Sequence, residues 1–250
     1  MNYIYGAHSD IGNSRRFQED FIMCREYGSD ILAIIADGTG TSDDRLQPAV
    51  LAVNSILENI TSVKEEDDEL FSKNPLFFLK RAMIEANNLL GVLKMANEEF
   101  YYGYAASLSM LYLNSEGQIY YTHIGNTRIY LLRGGELRPL TIDNTVAQEK
   151  IDRGEENIDY YATTDRLKVT EGLGLSVNPD IYINQGRLKE NDILVLTTDG
   201  VHYAIRPEYI TSIILESADP ATASNNLVIA AKDVVQYPDN ISAIVIAERK

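Results

Sequence analysis

Long apolar runs recur along this chain of 250 residues, and three of them carry an aspartate at one end. The runs at 31–36 and 193–198 lead into Asp37 and Asp199, and a third run follows Asp239. Short, nearly continuous apolar runs are typical of buried strands. The pattern therefore predicts three buried strands, each of which holds a carboxylate at one end beside an apolar core.

The rest of the pattern predicts helices near both ends of the chain. Apolar side chains recur every three or four positions in 75–97, and Pro75 suits the first turn of such a helix. Further helices are predicted at 47–60, 207–217 and 220–235. Each would pack one apolar face against a larger layer.

Short turns join the remaining strands, which favours antiparallel pairing. These strands are predicted near 3–8, 20–26, 107–113, 118–124 and 127–132. Because the strands cluster in antiparallel runs with two helices near the start and two near the end, the order predicts an α+β fold. The expected architecture is a four-layer αββα sandwich, in which two antiparallel sheets pack face to face with helix pairs outside. It would form a single domain over 1–250, and the polar segment 143–172 is predicted to be helical at first and otherwise mobile.

Charge and composition exclude several classes of protein. The net charge of −15 argues against nucleic-acid binding through the general surface, and the acidic run 65–69 is predicted to be a solvated connection between helices. No apolar run approaches the roughly 20 residues of a membrane span. The N-terminus lacks the regions of a signal peptide, so no membrane contact and a cytoplasmic location are expected. A single cysteine, Cys24, excludes an intrachain disulfide and is expected to pack in the core.

The converging carboxylates predict a metal centre. Acidic groups at the ends of buried strands repel one another unless cations neutralise them. The chain has no cluster of cysteine and histidine that would favour zinc, so Mg²⁺ or Mn²⁺, which prefer oxygen ligands, are the expected ions.

The remaining histidines and aromatic groups have simpler explanations. Packing or hydrogen bonding, rather than catalysis, is expected for the scattered histidines, which are His8, His123 and His202. Tyrosines at 101, 102 and 104 resemble a stacking platform for bases, but packing around a helix end is expected in so acidic a protein.

Several short motifs stand in a fixed order around the aspartates. They are Ser-Asp-x-Gly-x-x-Arg-x-x-x-Glu-Asp at 9–20, Ala-Asp-Gly-x-Gly at 36–40, Gly-x-x-Arg-x-Tyr-Leu-x-Arg-x-Gly at 125–135, Leu-Thr at 140–141, Glu-Gly-Leu-Gly at 171–174, Asp-x-Leu-x-Leu-x-Thr-Asp-Gly at 192–200 and Asp-Asn-Ile at 239–241. Each string alone is common. The ordered set covers nearly the whole chain and resembles the metal-dependent protein serine/threonine phosphatases of type 2C, the PPM family, in their compact bacterial form.

The resemblance implies a set of metal ligands. Asp37 would bridge two Mn²⁺ or Mg²⁺ ions, with the carbonyl of Gly38 as a further ligand of one ion. Asp199 and Asp239 would hold the other ion. In the turn after Asp239, Asn240 is expected to brace the backbone rather than to bind metal.

The resemblance also implies how water and substrate are handled. Glu19 and Asp20 would act largely through metal-bound waters, and Arg15 would bind the substrate phosphate with its planar guanidinium. Arg16 has the same chemistry, and only the register of the motif favours Arg15. A hydroxide that bridges the two ions would attack phosphorus without a phosphoenzyme and so hydrolyse phosphoserine or phosphothreonine on proteins. The implied partners are phosphorylated proteins and a bacterial Ser/Thr kinase that phosphorylates them.

The chain departs from the family pattern at three places. Thr39 stands where eukaryotic members carry a histidine. Thr41 replaces a common second glycine, and 42–44 make that loop acidic. Asn126 replaces the aspartate that helps to bind a third, loosely held metal. Because Asn126 keeps an oxygen but loses the charge, the third metal site is expected to be weak or absent.

Two alternatives remain open. A pseudophosphatase that acts as a regulatory binding module is suggested by Asn126 and by the altered loop 39–44, although the intact acidic set and Arg15 argue against it. An ATP-binding protein of the actin or sugar-kinase type is suggested by the glycine-rich turn at 37–41, but it leaves Asp199 unexplained.

Overall fold

A computed structural model describes residues 2–40, 47–96, 103–155, 164–234 and 239–249. Within these ranges, ten strands form two five-stranded antiparallel sheets. In the order of neighbouring strands, the first sheet consists of β1 (Tyr3–Asp10), β10 (Ile241–Glu248), β9 (Ile193–Thr197), β6 (Arg128–Arg133) and β7 (Glu136–Pro139). The second sheet consists of β2 (Asp20–Tyr27), β3 (Asp30–Thr39), β4 (Ala105–Leu113), β5 (Gln118–Ile124) and β8 (Tyr182–Arg187).

Helices cover the outer faces of both sheets. The described helices are α1 (Pro48–Lys73), α2 (Pro75–Ala96), α3 (Val146–Asp152), α4 (Asp199–His202), α5 (Pro207–Glu216) and α6 (Pro220–Lys232), with a short 3₁₀ helix at Thr164–Leu167. The outer layers are formed by α1 and α2 on one side and by α5 and α6 on the other. None of those helices combines the length and the hydrophobicity that a bilayer span requires.

Three apolar cores separate four layers, which confirms the predicted αββα sandwich. Ile56 and Met83 belong to the core between the second sheet and the helices α1 and α2. Ile35 and Ile244 belong to the core between the two sheets. Leu227 belongs to the core between the first sheet and the helices α5 and α6.

Alternation along the strands places the acidic groups at one end of the inter-sheet layer. Ile34 faces the helices whereas Ile35 faces the other sheet, so β3 is buried on both sides and has an apolar sequence throughout. Asp37 lies two residues beyond Ile35 and so follows on the inter-sheet side. On β2, Asp20 precedes Ile22 in the same way, and Asp20 pairs with Asp37 in the sheet register.

The short strand β7, the strand β8 and the helix α4 were absent from the sequence prediction. β8 is an exposed edge strand that pairs with β5. Edge strands of this kind need no apolar alternation, so its polar sequence gave no strand signal. The helix α4 has only four residues and begins at Asp199, and one residue, Thr198, separates it from β9.

The prediction that 65–69 connects two helices is wrong in form. Helix α1 extends well beyond residue 60 and continues through this run, with one non-helical residue, Asp67 (φ −156°, ψ 82°). The Asp67 carboxylate accepts a hydrogen bond from the backbone N–H of Leu70 at 2.9 Å, as an N-cap residue does. The acidic run is exposed, as predicted, but it restarts a helix instead of forming a loop.

Other predictions fall partly outside the described residues. Within 143–172, α3 confirms the early helix, and an isolated bridge pairs Thr145 with Val169. Residues 156–163, the loop residues 41–44, and the tyrosines at 101 and 102 lie outside the described ranges. Tyr104 is fully buried in the core beneath α1 and α2, which confirms its packing role.

Candidate active site

A cavity of about 530 Å³ opens where the strand-end aspartates meet. Its polar part is lined by Arg15, Glu19, Asp37, Gly38, Asn126, Asp199 and Asp239. The structure therefore brings together every candidate site residue of the sequence except Asp20, which does not line the cavity.

The position of Asp37 is set by the second sheet. Asp37 pairs with Ser107 on β4, and the next residue, Gly38, donates its backbone N–H to the carbonyl of Glu19 at 3.1 Å. A Cβ atom on Gly38 would lie 3.0 Å from the ring of Pro48 at the start of α1. This tight packing keeps the Asp37–Gly38 backbone fixed at the edge of the cavity.

Two glycines allow the backbone to pack closely against the turn that carries Asp239. A Cβ atom on Gly12 would lie 1.9 Å from the carbonyl oxygen of Asp239, and one on Gly200 would lie 1.9 Å from that of Asn240. The Asn240 side chain accepts a hydrogen bond from the backbone N–H of Glu19 at 2.8 Å and donates to two carbonyls of the loop before it. Asn240 thus braces the backbone, as predicted.

Asp20 joins the two sheets behind the cavity. One of its oxygens accepts hydrogen bonds from the hydroxyls of Thr198, at 2.8 Å, and Ser242, at 2.7 Å. Burial raises the pKa of Asp20 to about 8, although these two hydrogen bonds oppose the shift. Sequence reasoning missed both hydroxyl residues, and their only signal was a position near the aspartates, with Thr198 directly before Asp199 and Ser242 near the start of β10.

Among the described residues that line the cavity, the carboxylates outnumber the cations. Burial raises the pKa of Asp37 well above its ordinary range, and the negative charges of Asp199, Asp20 and Asp239 raise it further. Burial also raises the pKa of Glu19, even though the guanidinium of Arg15 opposes this change. Such a wall favours bound cations, because they stabilise the ionised carboxylates.

Of the two neighbouring arginines, only Arg15 lines the cavity. Its Nη2 lies 2.8 and 2.9 Å from the two carboxylate oxygens of Asp239, and its Nη1 lies 3.6 Å from Glu19. The guanidinium of Arg16 instead lies over the ring of Phe17, 5.2 Å from its centroid. The Asp239 contact uses one guanidinium nitrogen, so the planar group keeps further donors for an anion.

Asn126 contacts Asp199 directly. Its side chain is 2% exposed, and Nδ2 donates a hydrogen bond to a carboxylate oxygen of Asp199 at 3.0 Å. The Asn126 Oδ1 atom is buried without a hydrogen-bond partner in the described structure. A neutral amide oxygen in this position is a weak ligand for a hard cation.

The donor set fits hard divalent cations that retain water ligands. All candidate donors are oxygens, as Mg²⁺ and Mn²⁺ prefer. Within the described ranges, no three aspartate, glutamate, histidine or cysteine side chains lie close enough to hold an ion by themselves. Each ion would therefore complete its shell with carbonyl oxygens and water, which Mg²⁺ commonly does.

The histidines and the cysteine lie outside the cavity. Each histidine is hydrogen-bonded: His8 to Ser224, His123 to Ser109 and Ile142, and His202 to Thr197. These contacts confirm the predicted structural role of the histidines. Burial lowers the pKa of His123 to about 4. Cys24 packs against the inter-sheet core, and burial raises the pKa of its thiol to about 12, so the prediction of an inert core thiol is confirmed.

Comparisons with known proteins identify the family of this chain. The family model described as Protein phosphatase 2C matches residues 8–230. Protein phosphatase PhpP of Streptococcus pneumoniae serotype 2 (strain D39 / NCTC 7466) is 24% identical over 244 residues, which cover 96% of this chain and 95% of that protein.

Solved structures share the fold. The crystal structure of the Mycobacterium tuberculosis serine/threonine phosphatase PstP/Ppp has a TM-score of 0.83 at 24% identity, over 100% of both chains. A crystal structure of the PstP catalytic domain in complex with 2 manganese ions has a TM-score of 0.79 at 24% identity, over 98% of this chain and 97% of that one. Because the family model spans most of its length, the chain belongs to the protein phosphatase 2C family.

Proposed function

We propose that this protein hydrolyses phosphoserine or phosphothreonine on cytoplasmic phosphoproteins, with Mn²⁺ or Mg²⁺ as the cofactor. One observation carries the proposal: a single cavity collects four carboxylates of the described residues beside one guanidinium. The names of PhpP and PstP, and the two manganese ions in the PstP catalytic domain, support it. A Ser/Thr kinase acting on the same phosphoproteins is the proposed opposing enzyme, and the whole chain is proposed to act as one domain.

Two ions would be held by the side chains of Asp37, Asp199 and Asp239 and by the carbonyl of Gly38. When bound, they would supply a bridging water of lowered pKa as the nucleophile and neutralise charge on the phosphate. Glu19 would orient water at the cavity edge.

The chain's own residues would position the substrate. Arg15 would bind two phosphate oxygens, which turns the phosphorus toward the acidic wall. Asp20, through its hydrogen bonds with Thr198 and Ser242, would link the two sheets behind that wall. Its carboxylate would act on the metal ions through water. Asn126 would hold Asp199 by its hydrogen bond, with a third metal weak or absent.

A pseudophosphatase is the second candidate function. The hydrogen bond from Asn126 to Asp199 favours it, because this amide occupies an oxygen that a metal would otherwise use. The ATP-binding alternative is not retained, since the chain belongs to the protein phosphatase 2C family.

The test is phosphate release from a phosphothreonine peptide after chelation and after addition of Mn²⁺, with Mn²⁺ binding measured by calorimetry in parallel. We expect release that depends on Mn²⁺ and that is lost in Asp199→Asn. Mn²⁺ binding without turnover at any metal concentration would support the pseudophosphatase instead.

A further inference from the structure

One part of the cavity wall is apolar and has no role in the proposed chemistry. Its side chains are those of Leu167, Val169 and Leu175, beside the small residues Ala105 and Ala106. Leu167 is 45% exposed and Leu175 is 41% exposed. Large apolar side chains that remain exposed inside a cavity indicate a surface that binds something.

Leu175 stands on a firmly held segment. The neighbouring Leu173 is fully buried and exchanges two backbone hydrogen bonds with Ala106, at 3.0 and 2.9 Å. The buried side chain of Asn87 accepts a hydrogen bond from the N–H of Gly174 at 2.8 Å and donates one to the carbonyl of Ser176 at 3.1 Å. The backbone on both sides of Leu175 is therefore fixed, and its exposure does not come from a loose loop.

Leu167 and Val169 are held in a similar way. Val169 pairs with Thr145 in a β-bridge, and the carbonyl of Lys168 accepts a hydrogen bond from the N–H of Val146 at 3.0 Å. The carbonyl of Arg166 accepts a hydrogen bond from the Tyr203 hydroxyl at 2.9 Å. These contacts present the apolar side chains to the cavity before any ligand arrives.

We propose that Leu167, Val169 and Leu175 form a subsite for an aliphatic side chain directly next to the phosphorylated residue of the substrate. The inference rests on the proposed function, because it places the phosphate at Arg15 in the same cavity. The volume of about 530 Å³ lies within the range of pockets that enclose a drug-sized ligand, so it has room for more than one phosphorylated side chain.

The chemistry of the wall selects the neighbouring residue. An aliphatic side chain would be removed from water against a surface that is already ordered, which favours binding because the wall itself need not be ordered. A polar or charged side chain at the same place would lose water without gaining a hydrogen-bond partner from these three residues. The protein should therefore prefer phosphopeptides with leucine, rather than serine, beside the phosphothreonine.

The experiment compares two labelled peptides that carry a non-hydrolysable phosphonate analogue of phosphothreonine. Leucine flanks the analogue on both sides in one peptide, and serine does so in the other. Fluorescence anisotropy with the full chain and Mn²⁺ should give a Kd roughly tenfold lower for the leucine peptide. In Leu167→Ser/Leu175→Ser the ratio of the two Kd values should approach one. Val177→Ser is the matched control, since Val177 is 87% exposed nearby but does not line the cavity, and it should keep the ratio.

Several outcomes would overturn the subsite: equal Kd values in the unmodified protein, no binding of either peptide, or an unchanged ratio in the double variant. Self-association that the double variant abolishes would also overturn it, because the wall would then serve a second copy of the chain. Turnover of the corresponding phosphopeptides tests the proposed function separately. No phosphate release, together with a preserved preference for leucine in binding, would refute the enzyme and leave the subsite standing.

Discussion

Two groups of buried aspartates differ in how their charge is balanced. Arg128 binds both carboxylate oxygens of Asp143, through Nε and Nη2 at 2.7 Å each, and Arg133 binds both oxygens of Asp192. Burial alone would raise the pKa of Asp192, but hydrogen bonds from Arg133 and from the backbone of Lys189 outweigh it and lower that pKa. The protein thus neutralises this group with its own cations.

Asp37 in the cavity shows the opposite pKa shift. Burial and repulsion from neighbouring carboxylates raise the pKa of Asp37. Among the described residues, Arg15 is the arginine that lines the cavity, and it contacts Asp239 and Glu19 rather than Asp37. The same residue type therefore has opposite consequences at the two places. Hydrogen bonds from an arginine lower the pKa of Asp192, whereas burial and neighbouring carboxylates raise that of Asp37, so we expect a bound cation to favour the ionised form of Asp37.

The largest expected effect is the loss of activity in Asp37→Asn and Asp199→Asn. Each change keeps the side-chain shape but removes a charge that a site for two dications needs, so turnover should fall by orders of magnitude. Folding should be retained or improved, because the repulsion between carboxylates decreases. Phosphopeptide turnover and urea unfolding check both statements, and near-normal turnover in Asp199→Asn would remove the two-metal mechanism from contention.

Asp192→Asn is the matched change in the other group. It should lower the free energy of unfolding by roughly 1–3 kcal/mol, because it leaves the hydrogen bonds of Arg133 imperfectly satisfied. The dependence of turnover on Mn²⁺ should stay the same. A loss of metal dependence in this variant would mean that the two groups of aspartates are not separate.

Arg15→Ala tests the one arginine that lines the cavity among the described residues. Because a phosphate clamp acts on the substrate in the ground state as well as in the transition state, KM for phosphopeptides should rise more than kcat falls. Arg16→Ala is the control and should change little, since Arg16 lies over Phe17 outside the cavity. Steady-state kinetics of both variants decide the point, and reversed effects would show that the assignment is off by one residue.

The pH dependence of stability tests the raised pKa of the buried Asp20 without an activity assay. Asp20 has a pKa of about 8 in the folded state, against about 3.9 when unfolded. The folded protein therefore keeps a proton that the unfolded chain has lost, so stability present at low pH declines as pH rises toward 8. From about pH 6.5 to 8, metal-free protein should lose up to about 1.4 kcal/mol per pH unit for such a group. Below this window the buried His123, with its lowered pKa, acts in the opposite direction.

Urea unfolding of chelated protein at both ends of that window measures the slope. Saturating Mn²⁺ should flatten it, because a cation favours the ionised carboxylates. Asp165→Asn is the control: hydrogen bonds from Lys150 and Lys168 lower the pKa of Asp165 to about 2, so it titrates outside the window and the slope should persist. If the free energy of unfolding of metal-free protein stays constant or increases between these two pH values, the raised pKa of Asp20 is contradicted.

The features predicted from sequence are those that local pattern determines. β3 and β9 were predicted because burial on both faces demands continuous apolar residues, and the helix from Pro75 because one face is apolar. The polar edge strand β8 was not predicted, because its pairing with β5 depends on residues that are distant in the sequence. In α1, Asp67 caps the helix where it restarts, but the composition of this acidic run alone does not distinguish such a cap from a loop.

The residues of the candidate site also fall into those that the sequence predicted and those that it did not. The strand-end aspartates and Arg15 stood in recognisable motifs, and the structure places them in one cavity. Thr198 and Ser242 carried no such signal, because their role arises only when Asp20 crosses from the other sheet. Leu175 gave no signal either, since its exposure inside the cavity depends on the long-range hydrogen bonds from Asn87 that anchor its segment.

The smallest expected effect is that of Asn126→Asp, which changes how the cavity depends on metal. The amide now donates a hydrogen bond to Asp199 across 3.0 Å. A carboxylate there would repel Asp199 in metal-free protein but would attract a hard cation more strongly than the amide does. The variant should therefore be less stable without metal and faster at low Mn²⁺, with the two rates converging at saturation.

Metal titrations of the natural protein, Asn126→Asp and Asn126→Ala on one phosphopeptide make this test. Asn126→Ala removes both the donor and the weak ligand, so it should not share the gain at low Mn²⁺. If Asn126→Asp instead needs more Mn²⁺ than the natural protein, the hydrogen bond to Asp199 is the main contribution of Asn126. If the natural protein and Asn126→Asp are both inert at every Mn²⁺ concentration, the cavity retains its charge without catalysis, and the pseudophosphatase becomes the better account of this chain.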